Sequence, residues 1–64
     1  MAMDVKITFR DPSRPVETVL ADDPRGHIEK NQTELAFYHG TNYGVIERWA
    51  FPIAEIDHTD PPST

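Results

Sequence analysis

Leu35-Ala-Phe-Tyr-His-Gly-Thr-Asn-Tyr-Gly-Val-Ile-Glu-Arg-Trp-Ala-Phe51 is the stretch whose reading decides the fold. Two runs rich in aromatic and β-branched residues flank Gly40-Thr-Asn-Tyr-Gly44, where glycine supplies the positive φ that a reversing chain needs. The pattern predicts a β-hairpin with strands over 34–38 and 45–51. Within the second strand Val45, Glu47, Trp49 and Phe51 share one parity and Ile46, Arg48 and Ala50 the other, so neither face is apolar throughout. Such a strand is either buried on both sides, as in a barrel, or switches parity at a bulge.

Working outward, Asp4-Val-Lys-Ile-Thr-Phe-Arg10 alternates strictly, with Val5, Ile7 and Phe9 on one face. Asp11-Pro-Ser-Arg-Pro15 forms a turn, because each proline fixes φ and removes an amide donor. Val16–Ala21 then resumes as a strand antiparallel to the first. Ala21-Asp-Asp-Pro-Arg-Gly26 breaks the chain again, and a short strand follows over 27–30 with Ile28 as its anchor. Beyond the central hairpin the period changes. Ile53 and Ile56 are three apart, which places them on one side of a 3₁₀ turn, and Pro52 suits the first position of that turn. A brief strand near 56–58 and a polar, proline-rich, disordered tail over 59–64 complete the expectation.

The fold class is therefore all-β: a single domain over 1–58, about five strands in an antiparallel meander or partly open barrel, with one 3₁₀ turn near 52–55. The expected core is Val5, Ile7, Phe9, Val16, Val19, Leu20, Ile28, Leu35, Phe37, Val45, Ile46, Trp49, Phe51, Ile53 and Ile56. With 64 residues such a core barely offsets the entropy of ordering the chain. A homodimer or a bound partner would add to that stability.

Composition narrows the function classes. The chain has no cysteine, which removes disulfides, thiolate metal sites and thiol nucleophiles and suits a reducing cytoplasm. No hydrophobic signal core opens it, and no apolar run approaches the ~20 residues that span a bilayer. The reading is a cytoplasmic protein without membrane contact. A formal charge of −5 opposes non-specific binding to nucleic acid. The charge is uneven, since beyond residue 32 Arg48 stands alone against Glu34, Glu47, Glu55, Asp57 and Asp60.

Few residues suggest chemistry. His27, His39 and His58 lie twelve and nineteen residues apart and match no metal-binding spacing, so each reads as an edge or surface histidine. Ser13 and Ser63 stand in a turn and in the tail, away from any nucleophile elbow, and Asp22-Asp23 before a proline reads as a turn former. Lys6, Arg10 and Arg14 would make a small basic patch, but an exposed strand face is usually charged for solubility alone. Tyr38, Tyr43, Arg48 and Trp49 are the candidate binding residues, because aromatic side chains beside an arginine are enriched in protein-binding hot spots. Trp49 reads more readily as core. No catalytic residue, metal site or cofactor is assigned, and the protein reads as non-enzymatic.

The alternating first strand, proline turn, aromatic strand ending in Phe-Pro-Ile53 and acidic close resemble the small β proteins encoded by phages and mobile elements. That resemblance implies a non-catalytic binder of a host or virion protein and transfers no site residue. The leading functional expectation is an interaction module that presents the hairpin face or an unpaired strand edge to a protein partner. A second is an acidic nucleic-acid mimic that covers a basic protein surface with Glu34, Glu47, Glu55, Asp57 and Asp60. A third, an SH3-like or OB-like nucleic-acid binder, conflicts with the charge.

Overall fold

Strict alternation in the first segment becomes a seven-residue strand, β1 (Met3–Phe9), in the computed structural model, which describes residues 2–63. Val5, Ile7 and Phe9 are buried, as the alternation requires. At its end Asp11 Oδ1 accepts from the Ser13 backbone N–H (3.0 Å) and hydroxyl (2.8 Å), while the Arg14 N–H donates to the Asp11 carbonyl (3.1 Å). This aspartate-built turn returns the chain as β2 (Glu17–Ala21). The remaining elements are β3 (His27–Glu29), β4 (Glu34–Gly40), β5 (Ile46–Pro52), a 3₁₀ turn (Ile53–Glu55) and β6 (Ile56–Asp60).

The strands form two three-stranded antiparallel sheets, ordered β2-β1-β6 and β3-β4-β5, and they do not close into a barrel. Their facing sides share one core of Val5, Ile7, Phe9, Val19, Ala21, Leu35, Phe37, Phe51 and Ile56, with Trp49 and Ile53 packed against it. Phe9 and Phe51 meet edge to face across the sheets, ring centroids 5.7 Å apart. At one corner the sheets are tied by backbone, where the Asp22 N–H donates to the Tyr38 carbonyl (2.8 Å).

Of the two alternatives for β5, the parity switch is absent. Its pairing with β4 runs without a shift from Glu34↔Pro52 to Gly40↔Ile46. Phe51 and Trp49 therefore face the core opposite Leu35 and Phe37, and Arg48 and Ile46 face outward. A switch occurs one strand later. Ile7↔Thr59 and Phe9↔Ile56 pair across an irregularity, so a bulge at Asp57-His58 lets two residues three apart both point inward. Thr59 is buried, its hydroxyl donating to the Pro61 carbonyl (3.1 Å). The sheet thus includes Thr59 and Asp60, where the sequence reading began a tail; Thr64, its last residue, lies outside the described residues.

Five expected core residues are exposed instead: Val16, Leu20, Ile28, Val45 and Ile46. Leu20 pairs with Asp4 and so faces away from the core that Val5↔Val19 occupies. Ile46 shares the outward parity of Arg48, Val16 precedes its strand and Val45 belongs to the hairpin turn. Ile28 has the inward parity, opposite Leu35, but β3 is too short an edge to be covered there. Ala36 is fully buried without joining the core cluster, because it lies on the outer face between His27 and Ala50.

Three connections carry positive φ, the first at Gly26 (71°) between β2 and β3. Gly44 (φ 79°) closes the β4–β5 turn, its N–H donating to the Thr41 carbonyl (3.1 Å). Between β3 and β4, Lys30, Asn31 and Gln32 all adopt left-handed conformations (φ 53°, 55° and 68°) although none is glycine. The Thr33 hydroxyl anchors that turn on the Lys30 carbonyl (2.6 Å).

Candidate functional site

The outer face of the second sheet gathers polar side chains from all three of its strands. Tyr38 on β4 pairs with Arg48 on β5, and Glu29 on β3 pairs with Glu34. The Arg48 guanidinium reaches across β4, with Nε donating to the Tyr38 hydroxyl (3.1 Å) and Nη2 meeting Glu29 Oε1 (2.8 Å) and Glu34 Oε1 (3.4 Å). The Tyr38 hydroxyl donates in turn to Glu29 Oε2. His27 meets the Tyr38 ring edge to face at 5.6 Å, and Lys30 Nζ lies 3.6 Å from Glu34 Oε2. The Arg48 bond, followed by that from Tyr38, holds the Glu29 carboxyl below the usual carboxylate range. Arg48 thus clamps three strands with a planar, multi-donor head.

Past this network the hairpin ends in an apolar tip. Tyr43 is 93% exposed, Val45 56% and Ile46 69%. The structure brings Tyr38 and Arg48 together and places Tyr43 at the end of the same hairpin. Trp49 is separated from them, since it pairs with Phe37 on the opposite face and packs half-buried against the core.

The five acidic candidates are spread over both sheets and the 3₁₀ turn. Glu34 belongs to the Arg48 network, and Glu47 pairs with His39 on the other face of the same sheet. Glu55 binds Arg14 (2.6 Å), Asp57 lies 2.6 Å from His58 Nδ1, and Asp60 stands opposite Lys6 in the β1–β6 ladder. Of the basic candidates, Arg10 and Arg14 come together and Lys6 stands opposite Asp60. Arg14 stacks on the Phe9 ring (3.7 Å) and is held by Glu55. It borders a shallow depression of about 290 Å³ shared with Arg10, Asp11 and Ala54.

The histidines lie on three different surfaces: His27 beside Tyr38, His39 against Asp22 and His58 against Asp57. Among the described residues no three His, Cys, Asp or Glu side chains are placed to hold a metal ion. No helix of the described residues is long and apolar enough to cross a membrane.

Asp22 is the polar residue that sequence reasoning undervalued. Its carboxylate accepts from the Gly40 N–H (2.9 Å) and meets His39 Nδ1 (2.9 Å), so the end of β2 is fastened to the end of β4 by side chain as well as backbone. The Gly40 bond, followed by the His39 bond, lowers its pKa from the ordinary 3.8. Asp11 and Asp23 are lowered similarly, by bonds from Ser13 and from Arg25. Because these carboxyls hold protons more weakly folded than unfolded, their stabilisation is complete above the ordinary values of 3.8 for Asp and 4.5 for Glu29 and is lost as pH falls through the folded ones. Thermal melts from about pH 2 to about pH 7 should show Tm flat above about pH 5 and falling below about pH 4. Asp22→Asn should lower the plateau and shallow the acid fall; an acid limb as steep as that of the parent would remove Asp22 from this role.

Comparison with protein-family models, curated proteins and solved structures produces no match to this chain.

Proposed function

We propose that this protein is a small, non-catalytic interaction module that docks onto a protein partner through the tip and outer face of the β4–β5 hairpin. The observation that carries the reading is the exposure of Tyr43, an aromatic side chain held on a glycine-closed turn with almost nothing of its own chain over it. Val45 extends the apolar surface, and Arg48 and Tyr38 supply a polar rim fixed by their own hydrogen bonds. Aromatic and arginine side chains dominate binding energy at protein interfaces, and groups already fixed before contact lose less entropy on binding. The matching partner surface is an apolar pocket with an acceptor for the Tyr43 hydroxyl.

The test is capture of partner from source-cell extract by the immobilised protein, followed by titration of the retained protein with the parent chain, Tyr43→Ala and Val45→Ser. Both side chains lie outside the core, so Tm should hold while affinity falls about tenfold or more for Tyr43→Ala. Undiminished binding by both variants would remove the tip from the interface.

A further inference from the structure

Four strands stand at sheet edges, and they are not equally protected. β3 has three residues and runs into a left-handed turn, β2 follows Pro15 by two residues, and β6 carries a bulge and stops at Pro61. Short strands, prolines and bulges are the ordinary means by which a sheet prevents further pairing. β5 is seven residues long, unbroken in register and free of lysine, with proline only at its last position. It is the longest unbroken edge among the described strands.

Its free groups follow from the ladder. The Val45 carbonyl accepts from the Thr41 N–H (2.8 Å) and the Ile53 N–H donates to the Thr33 carbonyl (2.9 Å), so residues 45 and 53 turn their backbone groups toward β4. Groups alternate along an antiparallel strand. Residues 47, 49 and 51 therefore also face β4, while Ile46, Arg48 and Ala50 direct N–H and C=O outward and Pro52 directs only C=O. Among the described residues no backbone group pairs with this outer side.

We infer that a second copy of this chain occupies the β5 edge, joining the two β3-β4-β5 sheets into one continuous six-stranded sheet about a twofold axis at Trp49. Charge selects that register. An axis at Arg48 would place Arg48 against Arg48 and an axis at Glu47 would place Glu47 against Glu47, and like charges directly opposite are destabilising. An axis at Trp49 sets Trp49 against Trp49, Arg48 against Ala50, Glu47 against Phe51 and Ile46 against Pro52. Arg48 and Ala50 then exchange both hydrogen bonds, and the Ile46 N–H meets the carbonyl of the proline that has no donor to offer. A shift to an axis at Ala50 would leave Ile46 out of the ladder. The Arg48 side chain is already drawn across β4 to Glu29 and Tyr38, away from this edge. A single strand edge covers less surface than a standard interface, so the dimer is weak and concentration-dependent. The inference is independent of the docking role of the tip, since it uses the β5 backbone and leaves Tyr43 free.

Sedimentation equilibrium of the full chain from about 10 μM to about 1 mM tests it. The expected mass rises from 7.3 kDa toward twice that value, and the amides of Ile46, Arg48 and Ala50 slow their hydrogen exchange in parallel. A mass constant at 7.3 kDa, or dimers without that protection, would overturn it. Ala50→Pro removes an outward donor that the fold does not use and should weaken association about tenfold to a hundredfold. Ile46→Lys, at an exposed site, gives a second edge block should the proline variant fail to fold. Association of parent strength in either folded variant overturns the assignment, whatever Tyr43→Ala does to partner capture.

Discussion

Phe37→Ala is expected to remove about 3–5 kcal/mol, most of the stability available to a chain of this size. Phe37 is the largest fully buried side chain, at the centre of β4 opposite Trp49. Its neighbours belong to sheets held in place by strand pairing, so they collapse only partly into the vacated space and a cavity term adds to the lost transfer energy. Urea denaturation monitored by Trp49 fluorescence provides the measurement. A loss below about 1.5 kcal/mol would mean that the site refills, and the core would then be more deformable than its ladders imply.

Gly26→Ala is expected to cost about 2–4 kcal/mol, by a different route. Gly26 has φ 71°, a left-handed backbone that an alanine adopts with strain. A Cβ there would stand 2.9 Å from Leu35 Cδ1, 2.9 Å from Phe37 Cε1 and 3.0 Å from the Ala36 carbonyl oxygen. The backbone entering β3 thus rests directly on the core side chains of β4, and the strand would be pushed from its partner. The two effects are coupled because one ring is involved in both. Placed on a Phe37→Leu background, Gly26→Ala should cost less than it does alone, which a double-mutant cycle reads directly. Full additivity would show that the Phe37 contact does not set the penalty, leaving it to the backbone strain and the contacts with Leu35 and Ala36.

Gly26 also illustrates what a sequence conveys and what it withholds. Its place in Ala21-Asp-Asp-Pro-Arg-Gly26 announces a turn, and the turn is there. Nothing local announces that the same residue lies against Phe37, eleven positions on. The alternation of β1, the β4–β5 hairpin and the period change at Ile53 and Ile56 were legible because each depends on neighbours in sequence. The bulge in β6 was not, since it exists only where β6 meets β1, which lies at the other end of the chain.

The candidate site divides the same way. Tyr43 is a turn residue with no neighbours able to bury it, and a turn can be read locally. The Arg48 clamp joins residues 29, 34, 38 and 48, which converge only after three strands have paired. Trp49 and Tyr38 were candidates for one patch until strand parity placed them on opposite faces. Asp22 looked like half of a turn-forming pair, and its bonds to His39 and Gly40 span seventeen and eighteen residues.

The placement of glycine in the two turns of the second sheet bears on the order of assembly. A non-glycine residue visits the left-handed region only a few per cent of the time, so three in succession at Lys30, Asn31 and Gln32 form a conformation that the unfolded chain almost never samples by itself. That turn cannot lead; it is imposed by the strands it joins. The β4–β5 turn has glycine where its positive φ falls, and so is free to close early and offer β4 as a template. The strand that carries Glu29 is thereby expected to pair last in its sheet, with the Arg48 clamp as the fastening made once it has docked.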